Sequence, residues 1–407
     1  MTGSPKVAVA SCYDKKNYGS VLQAYATHHV IDRLGCEVLT LDKSGLSGAI
    51  AQGRRSYYRE HAADLSLYKA KLGFALHRIR QKANRDFGAK MKERGAAFDR
   101  FVADRFAFSR KVNSFEDLTD YCRQFDDVVV GSDQLWLPVN ISGNYFTLSF
   151  VEPPTKKISY ATSFGVSSLS EKELERVGGF LSSFDSLSVR ETTGAQLVKE
   201  ATGRSSAVVC DPTMLMTRDE WNKVADRDYP RPEGGYIFCY FLGKNLWNRE
   251  CAEKLALSCG CPIVAMAHLD EYVKYDDRYA DVYPYDAGPD AWIGLLAGAK
   301  YVCTDSFHGT VFASLFNRPF FTFRRHENVG QQSTNSRLDT LLHELGLMDR
   351  LCETREAFEA ACDHGIDFVE VNRRIDAYRR GSESYLRKAL GVGNDSAAND
   401  ESRDAES

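Results

Sequence analysis

Apolar runs of four to seven residues recur along the chain, separated by stretches whose apolar positions fall at helical spacing. The first run, 6–10 (KVAVA), predicts a buried strand, and 14–20 (DKKNYGS) predicts a turn. Over 21–34, Leu22, Ala26, Val30 and Leu34 share one stripe, which predicts a helix that Gly35 stops. A second strand is expected at 36–41 (CEVLTL). Strand, helix and strand in that order open a doubly wound α/β domain. Further strands are expected at 127–130 (DVVV), 157–160 (KISY), 186–189 (SLSV) and 207–210 (AVVC). Pro230, Pro232, Gly234 and Gly235 then mark a linker. A second α/β set follows it, with strands at 236–242, 262–266, 300–303 and 319–323 and a helix at 291–299.

The length of 407 residues suits two such domains. The pattern divides them as 1–212 and 232–370, with a helix at 371–392 expected to pack back on the first. Residues 393–407 hold five acids, one arginine and no large apolar side chain, which predicts a disordered acidic tail. No apolar run nears the ~18 residues of a membrane span. Residues 1–6 lack the charged start and apolar core of a signal peptide, so a cytoplasmic location is expected.

The formal net charge of -4 argues against a globally basic nucleic-acid binder, and no nucleic-acid partner is expected. That sum hides an asymmetry. A helical insertion at about 45–110 separates the second and third strands. Within it, 54–105 carry fourteen Lys or Arg against six Asp or Glu, a net +8. Tyr68, Leu72, Ala75 and Ile79 form an apolar stripe there, ringed by Lys69, Lys71, Arg78, Arg80 and Lys82. Two readings stay open: a solvated helical hairpin packed on the domain, or a surface that meets anionic lipid or an anionic acceptor. The second would hold the protein peripherally at the inner face of a membrane. Cys251, Cys259, Cys261 and His268 lack the Cys-x-x-Cys spacing of structural zinc sites, so buried or loop thiols and no metal are expected.

The strongest chemical signal is 304–312 (TDSFHGTVF), a strand end that opens a helix. Open α/β sheets present their ligand crevice at that end. Ser306 is the expected N-cap, and amides around Gly309 and Thr310 would face an anion. His308 would stand beside that anion as a proton donor. In SVRE, Arg190 can clamp a carboxylate or phosphate, or pair with Glu191 on the surface. In GSDQLW, Asp133 and Gln134 can bind hydroxyls, or serve the turn while Trp136 packs. Asn17 and Gln23 face the expected crevice, or merely cap a helix. Arg324, Arg325 and Arg337 follow a strand of the second set and compete to hold phosphate. No G-x-G-x-x-G or P-loop motif occurs, so a dinucleotide or ATP reading by motif fails.

In order, NYGSVLQAYA, GSDQLW, KKISYATSFG, SLSVRE, CDPTMLMTRDEW and TDSFHGTVFASLFNRPFFTF closely resemble the polysaccharide pyruvyl transferase family over roughly 6–345, apart from much of 45–110. The resemblance implies two Rossmann-like domains of the glycosyltransferase B type facing across a cleft. It also implies a phosphoenolpyruvate donor, a sugar acceptor and a cyclic ketal product, in cell-surface polysaccharide biosynthesis. The acceptor would be a sugar or a lipid-linked oligosaccharide. It carries His308 and Arg190 over to donor binding or catalysis, and no cofactor is required. Phosphoenolpyruvate needs two anion sites, for which Arg190 and the His308 helix terminus are suited. His308 is the preferred acid and Asp133 the candidate base. The competing functions are a nucleotide-sugar glycosyltransferase of the same fold and a non-catalytic member of the family.

Overall fold

The computed structural model of the chain describes residues 3–62, 85–267, 273–325 and 336–393. The stripe from Tyr68 to Ile79, His268 and residues 394–407 of the tail lie outside them. Two parallel four-stranded sheets form the frame. The first comprises β1 (Lys6–Ala10), β2 (Glu37–Thr40), β3 (Asp127–Val130) and β4 (Lys156–Ser159), in the order β2-β1-β3-β4. A short pair, β5 (Ser188–Val189) and β6 (Ala207–Val208), extends it through parallel bridges Ile158–Ser186 and Thr162–Val189. The second comprises β7 (Ile237–Tyr240), β8 (Ile263–Ala265), β9 (Tyr301–Thr304) and β10 (Phe320–Thr322), in the order β10-β9-β7-β8.

Side chains of successive strand residues point to opposite faces, and the core follows that alternation. Val7 and Val9 join one apolar cluster while Ala8 and Ala10 join another. On β7, Phe238 and Tyr240 join the same central cluster while Ile237 and Cys239 face away from it. The central cluster therefore belongs to both halves. Helix Tyr18–Arg33 runs through it. The Tyr18 ring stacks on Trp292 at 5.6 Å, and its hydroxyl donates to the Ala287 carbonyl at 2.9 Å. Trp221 meets Phe312 edge-on at 4.8 Å. The halves thus share an apolar seam.

Helix Tyr18–Arg33 begins three residues before the expected start at 21. Asn17 caps it, accepting from the Ser20 amide at 3.2 Å. Tyr18, Gly19 and Ser20 break the apolar stripe and so read as turn, but the cap and the burial of all three make them helical. Helix Phe368–Leu390 binds the first half: Ser382 accepts from the Cys210 amide at 2.9 Å, and Tyr385 donates to the Ser159 carbonyl at 3.0 Å. Cys251 and Cys261 are buried behind the second sheet, and among the described residues no group of acids, histidines and cysteines could hold a metal ion. No described helix is long and apolar enough to cross a membrane.

In each sheet the strand order reverses beside the first strand of the unit, between β1 and β3 and between β7 and β9. Crevices form at the carboxyl ends of such strands. Loops after β1, β3, β9 and β10 all contribute to one cavity.

Candidate active site

This cavity has a volume of about 810 Å³. The first half supplies Lys15, Asn17, Ser20, Asp133 and Gln134, and the second supplies Ser306, His308, Arg325 and Arg337. Helix Arg85–Arg105, the end of the basic insertion, closes it with Gly88, Met91, Lys92, Arg94 and Gly95. Arg94 is buried and donates to the carbonyls of Ala267 at 3.0 Å and Tyr285 at 3.1 Å, which pins this first-half helix to the second half. Asp133 is the one carboxylate among the described lining residues, against six lysines and arginines.

Helix Phe307–Leu315 starts directly after β9, so its first turn points into the cavity. Ser306 caps it, accepting from the Gly309 amide. The His308 ring lies flat against helix Tyr18–Arg33 at Gly19, where a β-carbon would meet Nδ1 at 2.1 Å. Only glycine allows that approach. His308 Nε2 stands 3.6 Å from Asp211 Oδ2, an ion-pair distance too long for a hydrogen bond. Nε2 is buried without a hydrogen-bond partner, and His308 lines the cavity, which puts its ring within reach of a ligand.

Asp211 is buried and fully engaged. It accepts from Arg190 Nη1 at 2.6 Å, Ser132 at 2.9 Å and the Thr213 hydroxyl and amide at 2.7 and 3.0 Å. Burial pushes its carboxyl up, and His308, Arg190 and Thr213 reverse this, holding it well below the usual carboxylate range. A fixed negative charge therefore lies behind the imidazole.

On the cavity side the balance is opposite. Arg337 is buried, its Nε has no acceptor, and burial followed by the nearby Arg190 lowers it to about 9. It is still charged at neutral pH, without a carboxylate in salt-bridge range among the described residues. Arg325 also has a buried Nε without an acceptor. Asp305 bridges the amides of Leu242 and Gly243 at 2.6 and 2.8 Å, tying the exits of β7 and β9 together. Gly243 lets Arg325 close against that staple, since a β-carbon there would meet Arg325 Cγ at 2.9 Å. Lys15 lies 4.0 Å from Asp133. Arg325 and Arg337, each with a buried Nε that lacks an acceptor, converge on this pocket and make a site for an anion with more than one charged group.

A family model described as polysaccharide pyruvyl transferase matches residues 17–327. The chain belongs to the polysaccharide pyruvyl transferase family. No curated protein matches significantly. Among solved structures, the MnaA–UDP co-structure from S. aureus aligns with a TM-score of 0.51 at 11% identity, covering 96% of this chain and 98% of that one. A UDP-N-acetylglucosamine 2-epimerase from Rickettsia bellii aligns at 0.48 and 9% identity, covering 97% and 99%. An alpha-glucosyltransferase in complex with UDP and a 13-mer DNA aligns at 0.47 and 10% identity, covering 95% of each chain. The fold is the two-domain glycosyltransferase B type.

The family's HisGly segment and the turn after β3 meet in this cavity, but several expected residues stand elsewhere. Arg190 does not line it. It is buried behind, bonded to Asp211, 3.9 Å from Asp133 and 4.5 Å over the Phe307 ring. Sequence cannot show that its counter-ion lies twenty-one residues on. Glu191 is not that counter-ion; it accepts from Ser163 at 2.9 Å. Gln23 is buried against the Ser20 carbonyl and Cys12, beneath the cavity and outside its lining. The Gly309 and Thr310 amides are already bonded within the cap, and a β-carbon at Gly309 would strike Thr304 Oγ1 at 2.3 Å. That glycine serves packing, and the amides without an acceptor among the described residues are those of Phe307 and His308. Arg324 is held outside by Asp339 at 2.9 Å and by Glu353. Asp133 adopts φ 79° and accepts from Ser20 at 2.6 Å. Burial raises its carboxyl, but Lys15, Arg190, His308 and Ser20 pull it far below the ordinary range. So weak a proton acceptor suits a counter-charge better than a general base. Asp211, Asp305, Lys15, Lys92 and Arg94 were not anticipated.

Proposed function

We propose that the protein transfers the pyruvyl group of phosphoenolpyruvate to two hydroxyls of a sugar, forming a cyclic ketal. The observation that carries this reading is the cationic pocket, in which Arg325 and Arg337 each have a buried Nε without an acceptor, Lys15 has only Asp133 at 4.0 Å, and His308 lines the wall with Asp211 behind its Nε2. Phosphoenolpyruvate brings a phosphate and a carboxylate that match such a pocket. His308 would give a proton to the methylene carbon, making the adjacent carbon electrophilic. A sugar hydroxyl adds there. The bond from carbon to the phosphate oxygen breaks and phosphate leaves. The second hydroxyl then closes the ketal. Of the two hydroxyl protons, one restores His308 and the other leaves with phosphate. Arg325, Arg337 and the first amides of helix Phe307–Leu315 hold the phosphate and carboxylate.

The test is incubation with phosphoenolpyruvate and a panel of saccharides, reading phosphate release and the mass gained by the sugar. Release that needs the sugar and matches the mass gain supports the reading. A UDP-sugar turned over with UDP release and no use of phosphoenolpyruvate overturns it in favour of a glycosyltransferase. Peripheral attachment through 54–105 is a separate part of the proposal. Salt-sensitive co-sedimentation with anionic vesicles supports it, and none at low salt removes it.

A further inference from the structure

A second cavity, of about 370 Å³, lies on the other side of Lys15. Lys15 lines both cavities. Its walls are the loop after β1, the segment after β2 and helix Ser47–Glu60. That helix turns one face inward, with Ser47, Ala51, Arg54, Arg55 and Tyr58 at helical spacing.

The charge of this second cavity is unbalanced. Lys43 is satisfied by Asp14 and the Ser11 carbonyl, and sits 4.7 Å over the Tyr13 ring. Asp14, the only carboxylate among the described lining residues, is thereby used. Arg54 and Arg55 have no carboxylate partner among the described residues, and Arg54 Nε is buried with no acceptor. The nearest carboxylate to Lys15 belongs to the first cavity, 4.0 Å away. Arg54 and Arg55, with the Ser44 and Ser47 hydroxyls and a Lys15 shared with Asp133, therefore face a space whose positive charge the described residues do not balance. A single carboxylate offers one charge and two oxygens. Two guanidinium forks, an ammonium and two hydroxyls match a group with several charges and many acceptor oxygens.

We propose that this second cavity binds a diphosphate group carried by the acceptor, with the acceptor's sugar reaching past Lys15 into the first cavity. Acceptor recognition then rests on the anionic carrier as well as the sugar. This rests on the pyruvyl-transfer reading only for the word acceptor; the diphosphate site is testable without turnover. The carrier is either a nucleoside or a prenyl chain, and Ile50, Tyr58 and Phe146 at the same cavity offer apolar surface to either.

The experiment is titration calorimetry on the full chain with inorganic pyrophosphate, in saturating phosphoenolpyruvate to fill the first cavity. The comparison variant carries Arg54→Gln and Arg55→Gln together, with Arg55→Gln alone as a second, milder variant. Binding that weakens at least ~10-fold in the double variant, less in the single one, and with rising salt supports the site. Phosphoenolpyruvate binding unchanged in the same variants separates this site from the first. Equal pyrophosphate affinity in wild type and a folded double variant overturns the proposal, whatever the transferase assay reads. Parallel titrations with uridine diphosphate and farnesyl diphosphate identify the carrier, since the tighter of the two names its class.

Discussion

Replacing Asp211 by asparagine keeps the size of the side chain behind His308 and removes its charge. At 3.6 Å and an effective dielectric near 20, the attraction between that carboxylate and a charged imidazole is about 5 kcal/mol. That corresponds to about three decades in rate if all of it serves catalysis. Asparagine keeps a carbonyl oxygen for Thr213, with its amide group toward Ser132, so a loss of ~100- to 1,000-fold in kcat is expected, with the KM for phosphoenolpyruvate changed less than ~5-fold. Arg190 loses its 2.6 Å carboxylate bond and keeps only Asp133 at 3.9 Å. A buried cation left short of charge costs about 3 kcal/mol of stability. The depressed Asp211 carboxyl adds stability at neutral pH that is lost only as pH falls below the ordinary carboxylate range. The assay is phosphate release in a double-mutant cycle with His308→Ala, with urea melts to count folded enzyme. His308→Ala alone should lose at least ~100-fold. If Asp211 acts through the ring, Asp211→Asn costs almost nothing further in the His308→Ala background. Full additivity, or wild-type kcat in folded Asp211→Asn, would refute the reasoning.

Three further outcomes follow from the same geometry. Arg337→Gln should raise the KM for phosphoenolpyruvate at least ~10-fold while leaving the free protein as stable or more so. The guanidinium is lowered to about 9 by burial first and Arg190 second, so its folded-state penalty is full below that pH; a large drop in Tm of the free variant would contradict this. Gly19→Ala places a carbon 2.1 Å from His308 Nδ1, which must displace the ring by about an ångström and cut kcat roughly 100-fold; unchanged kcat in the folded variant would remove the ring-seat role. Asp133→Asn should lower kcat by less than ~10-fold and tighten phosphoenolpyruvate binding, because one negative charge leaves an anion site; a loss of ~100-fold or more at unchanged affinity would restore Asp133 as the base.

The strands were legible because a doubly wound sheet is covered on both faces and its strands are near-continuous apolar runs. Each of the ten observed strands overlaps an expected run, and no edge differs by more than two residues. His308 was legible because a strand end opening a helix is a local pattern. Asp211 was hidden because its local role carries no hint of its distant one: it caps helix Pro212–Leu215, accepting from Thr213. Its second oxygen turns to Arg190 and Ser132, a fact of packing that spacing does not carry. Lys92 and Arg94 were read as part of a charged surface, because a basic helix looks the same whether it faces water or roofs a cavity.

What sequence could not divide is which cations are spent. Arg190 and Arg337 both read as anion binders, and both are buried. Arg190 is raised, with burial opposing and Asp211 and Asp133 overriding it, so its charge is neutralised within the fold. Arg337 is lowered, with burial and Arg190 outweighing Glu191 and Asp133, so its charge is met only in part. The two lie close enough to repel, and only Arg190 is hydrogen-bonded to a carboxylate among the described residues. A ligand anion that enters the cavity supplies what Arg337 lacks, whereas one drawn to Arg190 would have to displace Asp211 and uncover the charge behind His308. On the proposed reaction, the pairing of Arg190 with Asp211 supplies the counter-charge behind His308, and Arg337, without a bonded carboxylate, is where the donor's charge is expected to go.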